Sequence, residues 1–369
     1  MRLGMFMMPV HPPDRTFWST LEEDSEKSML ADRLGFDELW LGEHFSATTE
    51  PIPSPLMFFA GLLQRTKTIA FGTAVINLPN HHPAIVAAEA AQFDHMSKGR
   101  FMLGVGPGGL VSDFELFGNP DVHARNRMVI EAVDFITRIW SQDPPYDLEG
   151  EFWSIAIKNG ILPELGVGYM PKPYQPGGPP ISISLASPSS SSAATAARKG
   201  WGMISANIIP TYSVASHWQV YSKACAEAGI APRGDNWRVA RNVLIAPSDG
   251  EAHDRVFGEE GSNRYFYTYM REVLSRVGLL VILKPQPDMP DEAASVEAIT
   301  RECVIYGSPK TVLDKLVAFR EQVGPFGTLL MTGLDWGGAN AAWERESMRL
   351  LAQEVMPKFR RHVMARAAE

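Results

Sequence analysis

The sequence predicts a closed (β/α)8 barrel of the TIM type. Two observations carry that expectation. Short apolar runs alternate with amphipathic stretches along almost the whole chain, and the apolar runs number eight, with polar or glycine-rich segments at several of their ends. Parallel strands joined by helices require right-handed crossovers, and eight such strands close most naturally into a barrel; an open, doubly wound sheet is the competing arrangement. The 369 residues are 45% hydrophobic and 21% charged, the balance of an ordinary globular chain that buries a large core. That length by itself suggests two domains, yet barrels with insertions run past about 250 residues as one unit. One barrel domain over 1–369 is therefore expected, with insertions near 143–180, after strand four, and near 251–302, after strand seven.

The elements follow in order. Residues 2–9 (RLGMFMMP) read as strand one, and 16–34 as a helix ended by Gly35. Strand two is 36–43 (FDELWLGE), followed by a helix at 55–65; strand three is 68–78 (TIAFGTAVINL). Pro83 opens a helix reaching about 96, since proline is tolerated in a first turn, and Lys98-Gly99 breaks it. Strand four is 101–106. Residues 110–118 read as a loop, and 126–141 as a helix with Ile130, Val133, Ile136 and Trp140 on one side. The pattern then lapses into Pro- and Gly-rich sequence with a small hairpin at 146–155. It resumes with strand five (181–185) and its helix (189–199), strand six (201–205) and its helix (213–228), and strand seven (237–246). After a mixed stretch come a helix at 308–322, capped by Ser308 and opened by Pro309, strand eight at 327–332, and a closing helix at 341–361.

Composition excludes several function classes. Cys225 and Cys303 neither form a disulfide framework nor stand at metal-ligand spacing, and both read as small core residues. The N-terminus has no signal-peptide pattern, and no apolar run is long enough to span a bilayer. A net charge of −8 argues against a nucleic-acid partner. A reducing cytoplasm fits these features.

In a barrel the working groups stand where strands run into the following loops. His44, in Gly42-Glu43-His44-Phe45 after strand two, is placed to exchange protons near neutral pH, or to brace a neighbouring loop. His81 and His82 follow strand three. Adjacent histidines point apart and lack a third ligand at useful spacing, so no metal is expected; one would face the pocket and the other cap a helix or meet solvent. Gly104, Gly106 and Gly109 match G-x-G-x-x-G, but Pro107 intervenes and no helix opens directly. The better reading is a bare backbone surface against which a flat ligand lies, and the bland one is a tight turn. The run Ser187-Pro188-Ser189-Ser190-Ser191-Ser192 precedes a helix, where hydroxyls and free N–H groups form an anion site. Four successive serines exceed what capping requires, so a phosphate is favoured over a simple cap. Together these features indicate a flat, phosphate-tailed cofactor across the barrel mouth.

Leu39-Trp40-Leu41-Gly42-Glu43-His44, the segment 71–79 with His82-Pro83, Asp94-His95-Met96-Ser97-Lys98-Gly99-Arg100-Phe101 with the glycines after it, and the serine loop together resemble the bacterial-luciferase-like family of flavin-dependent monooxygenases. The likeness covers most of the chain. D-x-x-S-x-G-R followed by G-x-G is its most specific part. Gly104 to Gly109, Asp113, Phe326-Gly327-Thr328 and Asp335-Trp336 resemble most the limonene and diketocamphane monooxygenase branch.

This resemblance implies FMN, used as FMNH2 from a separate flavin reductase, O2 as co-substrate, and a homodimer. It implies that His44 is the catalytic histidine, that Ala74, Val75, Asn77 and Gly106 support the flavin ring, and that Ser187, Ser189, Ser190 and Ser192 hold its phosphate. The family often has a non-proline cis peptide at Ala74–Val75. The oxygen would be carried at flavin C4a, shielded from water, and inserted into a small apolar substrate, cyclic or terpenoid, with Phe6, Met8, Phe45, Phe58 and Trp336 as candidate walls. One departure stands out: Pro107 replaces luciferase's phosphate-binding arginine. That shifts the phosphate grip to the serine loop, aided by Arg198 or another basic group, and argues against light emission. The alternatives are a deazaflavin (F420)-dependent dehydrogenase on the same barrel, a non-catalytic flavin-binding barrel, and a phosphorylated-sugar enzyme on a plain barrel.

Overall fold

Short apolar runs bounded by turn residues produce twelve strands among the described residues. They are β1 (Arg2–Met7), β2 (Glu38–Leu41), β3 (Ala70–Thr73), β4 (Ile76–Asn77), β5 (Phe101–Gly106), β6 (Tyr146–Glu149), β7 (Ser154–Ile157), β8 (Ile181–Leu185), β9 (Gly202–Ser205), β10 (Trp237–Ile245), β11 (Val304–Gly307) and β12 (Thr328–Gly333). The structure is a computed structural model that describes residues 1–119 and 121–367. Eight strands pair in parallel in the order β1-β2-β3-β5-β8-β9-β10-β12, and β12 returns to β1. The predicted (β/α)8 barrel is therefore closed. The register Gly4↔Leu330 on one side of β1 and Gly4↔Glu38 on the other leaves no free edge.

Alternation sorts each strand into a lumen face and an outer face. Outward Leu39, Leu41, Phe71, Leu103 and Leu329 join the main core under the helices. Phe59, Phe71, Phe93 and Phe101 form a run of ring contacts at 5.0–6.0 Å between the helices Pro55–Leu62 and Pro83–Ser97 and the sheet. Each such ring pair contributes about 0.5–1.5 kcal/mol beyond its buried area. Inward Trp40 fills the middle of the lumen with Phe6, Ile204, Ala240 and Leu330. Gly72 and Gly104 make room for it and for Thr73: a Cβ on Gly72 would lie 2.5 Å from the indole, and one on Gly104 would lie 1.8 Å from the Thr73 carbonyl oxygen. Below Trp40, Glu38 accepts from the indole Nε1 and from Arg238 Nε, each at 2.7 Å. The lower lumen is thus plugged, and ligand chemistry is confined to the C-terminal mouth.

Several elements differ from expectation. Strand three is not continuous: β3 stops at Thr73, the Ala74–Val75 peptide is cis, and β4 resumes at Ile76 to pair with β5. Residues 110–118 are not all loop but contain the helix Val111–Leu116, too short to display a period. The helix after β8 begins at Ser191 rather than Ser189, because Ser189 takes a positive φ of 51°. The mixed stretch before residue 302 carries the helices Asp249–Phe257, Ser262–Arg276 and Val296–Cys303. It leads into β11, which pairs with the far half of the nine-residue, fully buried β10. The lapse at 143–180 holds the antiparallel β6–β7 hairpin.

Candidate active site at the barrel mouth

His44 follows β2 directly and is largely buried. Its Nε2 lies 3.1 Å from Glu50 Oε2 and its Nδ1 3.4 Å from Asp113 Oδ2. Asp113, on the helix Val111–Leu116, also accepts from the backbone N–H groups of Phe45 (3.2 Å) and Ser46 (2.9 Å) and from the Ser46 hydroxyl. Burial disfavours a charged ring, but Glu50 and Asp113 outweigh it and raise the His44 pKa to about 10. Burial likewise opposes the Asp113 carboxylate, yet His44, Ser46 and the Phe45 amide bring its pKa to about 2. His44 is therefore an imidazolium at neutral pH, not the neutral-pH proton exchanger expected from its position. Met8, Pro9, Pro51 and Ile52 line an apolar cleft beside it with room for about one water molecule.

Beside this cavity lies a floor of small residues. A Cβ on Gly42 would fall 2.2 Å from Met8 Sδ, and one on Gly106 would fall 2.6 Å from Ser184 Oγ and 2.7 Å from Val75 Cγ2. Ala74 and Val75 join the cluster around Trp40. Thr73 bridges to Gly104, its hydroxyl donating to the Gly104 carbonyl (2.7 Å) and accepting from the Gly104 N–H (2.9 Å). Asn77 turns toward Glu43: its N–H donates to Glu43 Oε1 at 2.8 Å and its side-chain amide to the Glu43 carbonyl at 3.2 Å. The two histidines divide as their directions require. His81 pairs with Glu43 at 2.8 Å, and the ring of Phe45 leans on it, whereas His82 caps the helix Pro83–Ser97 by accepting from Ala84 N.

From Gly106 the chain runs to Pro107, which borders a groove of about 280 Å³. Ser191, Ser192 and Thr195 line one side and His123, Asn126 and Arg127 the other. Ser190 is the N-cap residue of the helix Ser191–Lys199, and its side chain makes no cap bond. The first N–H groups of a helix and its dipole favour an anion at such a place. Arg198 is in the last turn, at the opposite end, so Arg127 and His123 are the basic groups here. The serine loop is anchored from behind. Trp237 Nε1 donates to Ser205 Oγ (2.9 Å), Ser205 bonds His217 Nδ1 (2.8 Å), and His217 Nε2 bonds the Ser187 carbonyl (2.9 Å). Burial lowers the His217 pKa to about 4, which keeps the ring neutral, as one donor and one acceptor require. Ser189 N–H donates to Ser216 Oγ at 2.8 Å. Of the four serines expected at a phosphate, Ser192 lines the groove; Ser187, Ser189 and Ser190 form the loop that leads into it.

Sequence reasoning missed Glu50, Arg127, His123 and His217, which reach the site from loops and helices without a local pattern. Of the candidate walls, Phe6 and Met8 are in the barrel lumen and Phe45 leans on His81 and Phe117 at the rim. Phe58 and Trp336 pack instead in the shell between barrel and helices. The grouping His11, Glu23 and Asp24, with ligand atoms within 4.8 Å, already contains cations: Lys27 Nζ stands 3.4 Å from Asp24, and Arg15 Nη2 2.5 Å from Glu23.

A barrel whose mouth combines a side-chain-poor floor, a buried charged histidine and an anion-ready helix end defines an enzyme class that lays a flat, phosphate-tailed cofactor over its strands. A family model described as luciferase-like monooxygenase matches residues 1–325, and the chain belongs to that family. It is 32% identical over 363 residues to 4-hydroxyprotoasukamycin monooxygenase of Streptomyces nodosus subsp. asukaensis, covering 96% of this chain and 91% of that one. It is 29% identical over 357 residues to limonene 1,2-monooxygenase of Rhodococcus erythropolis, covering 96% and 86%. The fold also matches the oxygenating constituent of 3,6-diketocamphane monooxygenase of Pseudomonas putida, described as a type II Baeyer–Villiger monooxygenase in complex with FMN. That match has a TM-score of 0.86 and 28% identity and covers 97% of this chain and 98% of the other. The expected family and its limonene and diketocamphane branch agree with these relatives.

Proposed function

We propose that this protein is the oxygenating component of a two-component, FMN-dependent monooxygenase acting on a small apolar substrate. The carrying observation is the meeting of three things at one mouth: the small-residue floor, the phosphate-ready groove and the charged His44 beside an apolar cavity. The residues fit FMN. A Cβ at Gly42 or Gly106 would collide with Met8, Ser184 or Val75 beside the mouth, while Ser191, Ser192, Thr195, His123 and Arg127, which pairs with Glu151 at 2.8 Å, suit a phosphate. Ala74, Val75 and Gly106 would support the ring, with Asn77 bracing the Glu43 turn beside it. Bound FMNH2 supplies two electrons, so that one atom of O2 enters the substrate and the other leaves as water.

The chain's own part is placement, dryness and a held proton. Met8, Pro9, Pro51 and Ile52 exclude water from the side facing His44. His44, charged between Glu50 and Asp113, would hold a proton for the oxygen that leaves as water. The apolar walls beside His44 favour an apolar substrate, with cyclic ketones and terpenes the first classes to test. A separate reductase fits the relative described as an oxygenating constituent. A homodimer fits the exposure of Met57 and Ile85 on neighbouring helices. One barrel domain in a reducing cytoplasm completes the reading; both cysteines are free, and no helix among the described residues is long and apolar enough to cross a membrane.

His44→Ala tests the assignment. Product formation should fall by about 10²- to 10⁴-fold, the usual weight of a positioned proton donor. FMN affinity should stay within about threefold, a change worth well under the 1.4 kcal/mol of a tenfold effect. Equal losses in both, or no loss in either, contradict it.

A further inference from the structure

We infer that Glu50 is a positioning residue that fixes the direction and charge of His44, and that Tyr269 ties the Glu50 loop to the helix Ser262–Arg276. This rests on the reading of His44 as the working histidine, and it adds what sets that residue's state. The two carboxylates flanking His44 are not equivalent. Asp113 is shared: two backbone N–H groups and the Ser46 hydroxyl donate to it besides His44, and it is fully buried on its own short helix. Its negative charge is also met from behind, since Arg125 stands near enough to feel it. Glu50 approaches the opposite nitrogen at the shorter distance, 3.1 Å, from the cavity side, with its carboxylate nearly buried. A carboxylate so placed acts on the ring with little screening. Glu43, next in sequence to His44, is turned away into its own pair with His81.

What holds Glu50 there is the residue before it. The Thr49 carbonyl accepts from His11 N at 2.8 Å, and the Thr49 hydroxyl donates to the Tyr269 oxygen at 2.9 Å, across 220 positions of sequence. Tyr269 is half-buried on a helix whose Phe266, Tyr267 and Leu274 belong to a second core with Val10 and Leu334, under the loops after β1 and β12. Burial and the charge of Glu50 both raise its phenol pKa, so the ring stays a neutral hydroxyl beside that carboxylate. The groups facing His44 and Glu50 are therefore Asp113 from the helix Val111–Leu116, Tyr269 from the helix Ser262–Arg276, and Arg125 behind Asp113. A shift of the helix Ser262–Arg276 would be transmitted through Thr49 to Glu50 and move the titration of His44.

The test reads the His44 ring by nitrogen NMR on flavin-free protein between pH 6 and 10, with circular dichroism to confirm folding. Wild-type His44 should stay protonated past pH 9. In Glu50→Gln the ring should titrate about one to three pH units lower, the reach of one close opposite charge. Glu50→Asp should fall between the two, and carries the test if Glu50→Gln does not fold. Tyr269→Phe should lower the titration by less and speed amide exchange at Thr49 and Glu50. A Glu50→Gln ring that titrates with the wild type overturns the proposal, and a Tyr269→Phe protein identical to wild type in titration and exchange overturns the link. If Glu50→Gln shifts the titration yet the yield of product per O2 consumed in the FMNH2-supplied system, read at a pH between the two titrations, is unchanged, the assigned role of His44 fails and the positioning stands.

Discussion

His44 shows how far a residue's surroundings can move it from its position-based reading. A histidine after a barrel strand is a natural proton exchanger near neutral pH, but two carboxylates within 3.4 Å keep this one charged. Its folded pKa of about 10 lies above the unfolded value of 6.5, as does that of His11, at about 9. For His11 burial again opposes the charge, and Asp24 and Asp335 overcome it. Both contributions to stability are complete below pH 6.5 and are lost as pH rises through 9 to 10. The melting temperature should therefore fall between pH 7 and 10, and His44→Gln should flatten that slope; an unchanged slope contradicts the charged-ring account. His44 and Gly106 were legible in sequence because they end apolar strands, where barrel chemistry gathers, and Ala74 and Val75 only through the family resemblance. Glu50 and Arg127 were not, because nothing local distinguishes a loop glutamate or a helix arginine that happens to face a site.

The serine loop is set by the elements behind it. The relay from Trp237 through Ser205 and His217 to Ser187 joins β9, β10 and the helix Thr211–Glu227 to the turn before the groove. His217→Ala should free that turn and weaken FMN binding about tenfold, roughly the 1–1.5 kcal/mol of one net hydrogen bond, while binding of riboflavin, which lacks the phosphate, changes less. Equal weakening of the two ligands, read by fluorescence titration, contradicts the loop's assignment to phosphate. Because burial holds the His217 pKa near 4, below its unfolded 6.5, this relay's stability is present above pH 6.5 and lost as pH falls toward 4, by about 3 kcal/mol at most. The run of serines was visible in sequence; the relay was not, since its members are far apart in the chain. Short elements were also hidden. The helix Val111–Leu116 spans under two turns, and β11 is four residues beside a longer strand, so neither shows a period.

At the scale of the molecule, eight apolar runs and their intervening helices were enough to predict the closed barrel, because strand count and crossover handedness leave few alternatives. Sequence could not show that Trp40, Glu38 and Arg238 plug its lower half and leave one open end. The seam between the last and first strands is closed at the mouth by His11, Arg15 and Lys27 against Glu23, Asp24 and Asp335, with Glu344 beside them. Lys27→Met leaves several buried carboxylates short of a cation and should destabilise the fold by about 3–5 kcal/mol, read by urea unfolding. A loss under about 1 kcal/mol would show that the network contributes little to closure. The central claim is oxygenation with FMN at the barrel mouth, and its most direct measurement is turnover under ¹⁸O2 with FMNH2 supplied by an unrelated reductase, across cyclic ketones and terpenes. The account predicts one ¹⁸O atom in the product and loss of that label in His44→Ala. Oxygen-independent oxidation of substrate with F420, and no labelled product with FMNH2, would contradict it.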